Sequence, residues 1–314
     1  MPIKHKFDFD LSKIYDVVII GEILVDIITD DDFNKSYQLY GGSSANIALN
    51  LRQLGIHSKL YGSVGNDTFG SFLLDNLNNH QINYNVNIVQ KPTSFVKVNK
   101  NALSPTPSFH RSADYFIPFT SELEQDLAQT KILHFSFWPL SNEPSRSTLL
   151  KSIQIAKEHH ALIGFDPNYH SMLDDSIQSN LTLLKDICQY VDIIKPSFDD
   201  SKRIFGDCFS IDQLLTKYQK LGCKLIIMTL GEKGLIAKYK DSIISFPTYA
   251  TEILDSTGAG DAFWSGLYGG LCQGESIENA ISYGLQCSAL NLKVIGANAN
   301  LPEINQIKSM VESR

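Results

Sequence analysis

Short apolar runs alternate with longer amphipathic stretches along the whole of this 314-residue chain. The clearest runs are residues 15–21 (YDVVIIG), 162–166 (LIGFD), 191–195 (VDIIK) and 225–230 (LIIMTL). Each is short, rich in Ile or Val and bounded by polar or turn residues, as strands buried on both faces should be. Between them, apolar residues recur at helical spacing over 45–54, 69–77, 145–160, 178–188, 211–221 and 277–292. This alternation predicts βαβ units and an α/β fold, with a mostly parallel sheet covered by helices on both faces.

Two stretches break the rhythm. Residues 27–40 and 95–119 alternate apolar and polar positions, and neither stretch contains a helical pattern. They predict insertions that pair into a small β lid on a single domain spanning 1–314; two long surface loops would give the same pattern. Asp30-Asp31-Asp32 is expected to be a solvated turn. Composition narrows the class further. With 43% hydrophobic and 19% charged residues, the chain can build a large core. No apolar run approaches the roughly 20 residues that span a bilayer, so no membrane association is expected. The first residues lack the unbroken apolar stretch of a secretion signal. A net charge of −7, from 27 basic and 34 acidic residues, argues against a nucleic-acid binder. Cys188, Cys208, Cys223, Cys272 and Cys287 contain no CxxC pair. Reduced thiols in a cytoplasmic protein are expected, without a disulfide framework or zinc site.

Candidate chemistry concentrates in two segments. In residues 255–266 (DSTGAGDAFWSG), Gly258 and Gly260 bracket Ala259 and an apolar helical pattern follows. Small residues let the backbone approach a ligand, and a helix N-terminus offers unpaired N–H groups with partial positive charge. Such a cradle suits a phosphoryl group in transfer, and Asp261 at its lip could take a proton from an attacking hydroxyl. Asp261 acting only as a helix cap fits the same spacing. No Gly-Lys-Ser/Thr follows, so this is not a Walker A loop. No GxGxxG follows the first strand, which excludes a nicotinamide dehydrogenase. In residues 41–55 (GGSSANIALNLRQLG), paired glycines lead into a helix expected to end at Gly55. Asn46 and Asn50, four apart, could present two amides to sugar hydroxyls.

Together these segments resemble the two signatures of the ribokinase-like (PfkB) carbohydrate kinases. GEILVD (21–26) is similar to the family's first strand, which ends in a sugar-contacting aspartate. GSVGNDTFG (62–70), TLGEKG (229–234) and Gly296-Ala297 before Leu301-Pro302 extend the likeness over most of the chain. The resemblance implies a three-layer α/β/α sandwich and an ATP-dependent sugar kinase needing Mg2+ and, in part of the family, K+. It implies Asp261 as base, with Gly258, Ala259 and Gly260 as the anion hole. Asp26, Gly42 and Asn46 would hold the sugar; Lys195, Ser197, Thr229, Gly231 and Gly234 would hold the nucleotide. Asp255 and Thr257 would line a potassium site.

Two departures from the pattern matter. The family's Asn-x-x-Glu after its Lys-Pro is Ser197-x-x-Asp200 here, which leaves Asp200 as the candidate for magnesium and predicts weaker magnesium affinity. FDPNYH (165–170) resembles the D-P-N-Y-R segment of fructokinases and 2-keto-3-deoxygluconate kinases, with His170 in place of the arginine beside Asn168. His170 cannot copy a bidentate fork, so Arg111 remains the candidate cation over the sugar. A neutral ketose or related sugar is therefore expected over an acid sugar. The alternatives are a 2-keto-3-deoxygluconate kinase, a nucleoside kinase of the same fold and a non-catalytic sugar-binding regulator. The lid insertions could also join two subunits into a homodimer.

Overall fold

A computed structural model describes residues 4–29, 36–99, 107–169 and 177–314. The first half of the chain forms β1 (Tyr15–Ile20), β2 (Leu24–Thr29), β3 (Ser36–Gly41), α1 (Ser43–Gln53), β4 (Ser58–Gly65), α2 (Thr68–Asn79), β5 (Tyr84–Val89), β6 (Phe95–Asn99) and β7 (Ser108–His110). Then come α3 (Ser121–Ala128), β8 (Thr130–Ser136), α4 (Ser145–Glu158), β9 (Leu162–Asp166), α5 (Ile177–Cys188), β10 (Ile193–Ile194), α6 (Phe198–Phe205) and α7 (Ile211–Lys220). The last part holds β11 (Leu225–Thr229), β12 (Leu235–Tyr239), β13 (Ser242–Phe246), α8 (Ala259–Cys272), α9 (Ile277–Asn291) and α10 (Ile304–Glu312).

The main sheet has nine strands in the order β13-β12-β11-β10-β9-β8-β1-β4-β5. Every pairing from β5 to β11 is parallel, and the β11–β12–β13 edge is antiparallel. Side chains of β1 alternate between two buried clusters. Val17 and Ile19 pack with α1, α8, α9 and α10, whereas Val18 and Ile20 pack with α3, α4, α5 and α7. A strand covered by helices on both faces must be apolar throughout, which is why VVII is unbroken. The result is the expected three-layer α/β/α sandwich.

The two rhythm-breaking stretches do pair, into a four-stranded sheet ordered β3-β2-β6-β7. Its limits differ from the expectation. β2 begins at Leu24, and the second stretch leaves the small sheet after His110. Beyond it the chain returns to the body: Ile117 is buried, and its N–H donates to Ser145 Oγ at 3.2 Å. GEILVD is also not one strand. β1 stops at Ile20, and Asp26 lies within β2 of the small sheet. A Cβ at Gly21 would sit 2.0 Å from Ser44 Oγ, so the chain turns there against α1. The Asp30–Asp32 run and His170 lie outside the described residues. Among the described residues, no helix is long and apolar enough to cross a membrane.

Candidate functional site

The parallel strands deliver polar residues at or just beyond their C-terminal ends: Glu22 after β1, Ser136 in β8, Asp166 in β9, Lys195 after β10 and Thr229 in β11. The chain leaves β1 for β4 on one side and later returns to β8 on the other. A crevice opens where connections diverge in this way. The N-termini of α1 and α8 enter at the same edge. Both start on glycines with left-handed backbone, Gly42 at φ 97° and Gly258 at φ 75°, and neither has a side-chain cap. A Cβ on Gly258 would lie 2.5 Å from the Ala297 Cα, so the close approach also requires glycine. The Ala259 N–H makes only a long 3.3 Å bond to the Ser256 carbonyl. The first turn of α8 therefore keeps a partial positive charge available to an anion.

Asp261 is the third residue of α8, past the capping position, and its side chain turns away from its own helix. It accepts hydrogen bonds from Ser43 Oγ at 2.6 Å and Asn46 Nδ2 at 2.8 Å, both on α1. The capping alternative is thereby corrected. Burial pushes its pKa up to about 6, against the pull of the Ser43 and Asn46 bonds; Asp166 raises it further and Lys195 opposes. Asp26 is pushed up to about 7, by burial first and then by the charge of Asp261. A Cβ on Gly41 would fall 2.2 Å from Asp26 Oδ2, so only glycine admits this carboxylate. Asn46 Oδ1 is buried without a partner among the described residues, an acceptor left beside the base. Asn50 does not join it. One turn further along α1 it is fully buried, and neither atom of its amide has a hydrogen-bond partner among the described residues.

On the other side of Asp166, Lys195 Nζ pairs with Asp166 Oδ2 at 3.0 Å, and Trp264 Nε1 donates to the same oxygen at 2.7 Å. A Cβ on Gly260 would lie 3.3 Å from Lys195 Nζ, so the ammonium stands at the first turn of α8. Lys195, Thr229, Gly231, Gly234, Ala259 and Gly260 line one cavity of about 400 Å3, with an apolar wall from Ile253, Leu285 and Leu292. Gly234 has φ 84°, and a Cβ there would meet the Phe246 carbonyl oxygen at 2.0 Å. The 229–234 segment is thus both the β11–β12 turn and a cavity wall. Asp26, Leu39, Asp255, Thr257 and Gly296 line a second cavity of about 370 Å3. Ser256 borders both, so the loop leading into α8 separates them.

Other candidates have structural partners. Arg111 donates to Asp114 Oδ2 through Nε at 2.9 Å and Nη2 at 2.6 Å, and also reaches Ser141 Oγ and the Trp138 carbonyl. Its plane lies over the Trp138 and Tyr115 rings. Ser197 caps α6 and Asp200 returns the bond, forming a capping box. Asp200 also accepts from the Tyr169 N–H at 3.2 Å and from Arg203 at 3.4 Å, so both of its oxygens serve protein donors. Burial raises its pKa, partly offset by the Ser197 bonds. Asn168 is exposed and lines neither cavity. Asp255 Oδ1 accepts from Thr257 N and Oγ1, and Oδ2 accepts from Gly296 N at 3.0 Å, tying two loops together. In GSVGNDTFG, Asp67 caps α2 and accepts from Thr93 N at 2.7 Å, a role in the fold. Among the described residues, no cluster of three or more His, Cys, Asp or Glu side chains could hold a metal. Sequence reasoning missed Ser43 and Glu22; only Ser43's place at the start of a glycine-led helix could have signalled it.

The model of the pfkB family carbohydrate kinases matches residues 15–304. The ATP-dependent 6-phosphofructokinase of Thermoanaerobacterium thermosaccharolyticum is 46% identical, covering 98% of this chain and 97% of that protein. The Halothermothrix orenii fructokinase structure is similar at a TM-score of 0.79 and 34% identity, covering 89% of this chain and 100% of that one. A Vibrio cholerae O395 fructokinase structure with fructose, ADP and potassium bound gives a TM-score of 0.84 at 27% identity, over 96% of this chain and 100% of that one.

Proposed function

This chain belongs to the pfkB family of carbohydrate kinases, and we propose that it transfers the γ-phosphoryl group of ATP to a primary hydroxyl of a fructose-type ketohexose, with Asp261 as the base. The observation that carries this reading is Asp261 itself. It is a buried carboxylate between two glycine-led helix N-termini, with a pKa raised to about 6. A base with that affinity is mostly ionised at pH 7 yet close enough to neutrality to take a proton. The hydroxyl of the sugar attacks phosphorus as its proton passes to Asp261. Negative charge developing on the phosphoryl oxygens meets the Gly258–Gly260 backbone and the Lys195 ammonium.

In this reading the nucleotide occupies the cavity of Thr229, Gly231 and Gly234, with its base against Ile253, Leu285 and Leu292. The sugar meets Asp26, Gly42 and Asn46. Magnesium, when bound, neutralises charge on the phosphates. Both oxygens of Asp200 already accept protein donors, so coordination through ATP oxygens and water suits the donor set better than Asp200 does. A potassium ion beside the Asp255–Thr257 loop is supported by the potassium-bound fructokinase; since both Asp255 oxygens accept donors from Thr257 and Gly296, backbone carbonyls of the loop would hold it.

Fructose 6-phosphate is the first acceptor to test, because the phosphofructokinase is 46% identical across nearly the full chain. Free fructose is the second reading. It is favoured by Arg111, whose guanidinium is held by Asp114, Ser141 and Trp138 rather than presented to an anionic group. A coupled ADP-release screen over fructose 6-phosphate, fructose, keto-deoxy acids, ribose and adenosine, with and without potassium, decides between them. ADP release with adenosine alone would overturn the ketohexose assignment. Sugar binding without ADP release would make the protein a regulator.

A further inference from the structure

The turn after β1 contains a carboxylate that the proposed reaction does not use. Glu22 is 2% exposed. Its Oε1 accepts the Ser43 N–H at 3.1 Å; its Oε2 accepts Ser136 Oγ at 3.0 Å and, more weakly, Ser44 Oγ at 3.4 Å. Because Gly42 brings no side chain, the first turn of α1 lacks a cap of its own, and Glu22 supplies an acceptor from another segment. Ser43 then faces two ways. Its N–H goes to Glu22 and its hydroxyl to Asp261. The packing leaves no slack, since a Cβ on Gly42 would lie 2.6 Å from the Glu22 carbonyl oxygen. Glu22 thereby ties β8, through Ser136, to the α1 turn that holds the base.

We propose that Glu22 is a positioning residue for phosphoryl transfer: by fixing the first turn of α1, it keeps Ser43 and Asn46 within hydrogen-bonding distance of Asp261 and so aims the base. The proposal rests on the reading of Asp261 as base. Reacting groups held in place contribute much of a catalysed rate, and a displacement near 1 Å can remove about 100-fold. Glu22 lines neither of the two cavities; its carboxylate feels the charge of Asp261, and its hydrogen bonds reach the base through the first turn of α1.

Two substitutions separate reach from charge. Glu22→Gln keeps an Oε1 for the Ser43 N–H but loses the charge. Glu22→Asp keeps the charge but is one methylene too short to reach. Each is assayed for kcat and both KM values with whichever of fructose 6-phosphate and fructose the screen selects, and normalised to ATP-binding stoichiometry by calorimetry. The expected result is a kcat loss of roughly 10- to 100-fold and a raised sugar KM for Glu22→Asp, with ATP affinity unchanged. Glu22→Gln should retain most of the wild-type kcat. Equal loss in both variants, loss in Glu22→Gln alone, or wild-type kcat per ATP site in Glu22→Asp overturns the proposal. An undiminished kcat in Asp261→Asn would instead overturn the reading of the base, whatever the Glu22 variants do.

Discussion

The N-termini of α6 and α8 stand at the same edge of the sheet and treat their unpaired N–H groups in opposite ways. α6 closes on itself. Ser197 Oγ accepts the Asp200 N–H at 2.9 Å, and the Asp200 carboxylate accepts the Ser197 N–H at 3.0 Å. α8 begins on Gly258 without a side-chain cap and sends its acid, Asp261, across to α1. A helix end capped by its own side chains has fewer donors to offer a ligand. An open end keeps its N–H groups and its dipole for an anion. Spacing pointed to a chemical role for the start of α8 and the family resemblance to one for the start of α6; α6 spends its acid on its own cap, whereas α8 does not.

Closing the open end should have the larger effect. Gly258→Ala puts a Cβ on a left-handed residue, 2.5 Å from the Ala297 Cα, and must displace the first turn of α8. The expected loss in kcat is on the order of 100-fold or more, the scale of a removed oxyanion donor. A variant that folds and turns over at the wild-type rate would remove the anion-hole role of this turn. Acid should act next. As pH falls through about 6, Asp261 takes up a proton and can no longer accept one, so kcat/KM should drop about tenfold per unit well below that value. A profile flat from pH 7 to pH 5 would contradict this. The closed end should respond least. Ser197→Ala removes a cap worth about 1 kcal/mol, lowering Tm while leaving the magnesium requirement unchanged. A higher magnesium requirement in that variant would return Ser197 to the nucleotide site.

Much of the fold was legible because strands covered on both faces must be continuously apolar, as β1, β9 and β11 are. β4 was less so. SKLYGSVG is buried throughout despite two serines and a lysine, because Lys59 carries its ammonium to Glu122 at 2.6 Å and Asp126 at 2.7 Å. β10 shrinks to Ile193–Ile194 within the apolar run of 191–195. At the start of α8, the close backbone approach at Gly258 was legible because it leaves a local glycine signature, whereas spacing left Asp261 open between a base and a helix cap. Glu22 carried no such signal and Ser43 only its place at the start of a glycine-led helix, since their partners are set by the tertiary approach of α1 to β8 and α8. Arg111 was legible as a cation, but its engagement by Asp114 depends on packing around Trp138.

The most direct test of the base is a single-turnover measurement of ADP formation by Asp261→Asn, with ATP and the selected ketohexose both saturating and their binding confirmed by calorimetry. The account predicts near-native binding with phosphoryl transfer slowed by roughly two to four powers of ten, the range for a positioned general base. Transfer at the wild-type rate with both ligands bound would contradict it.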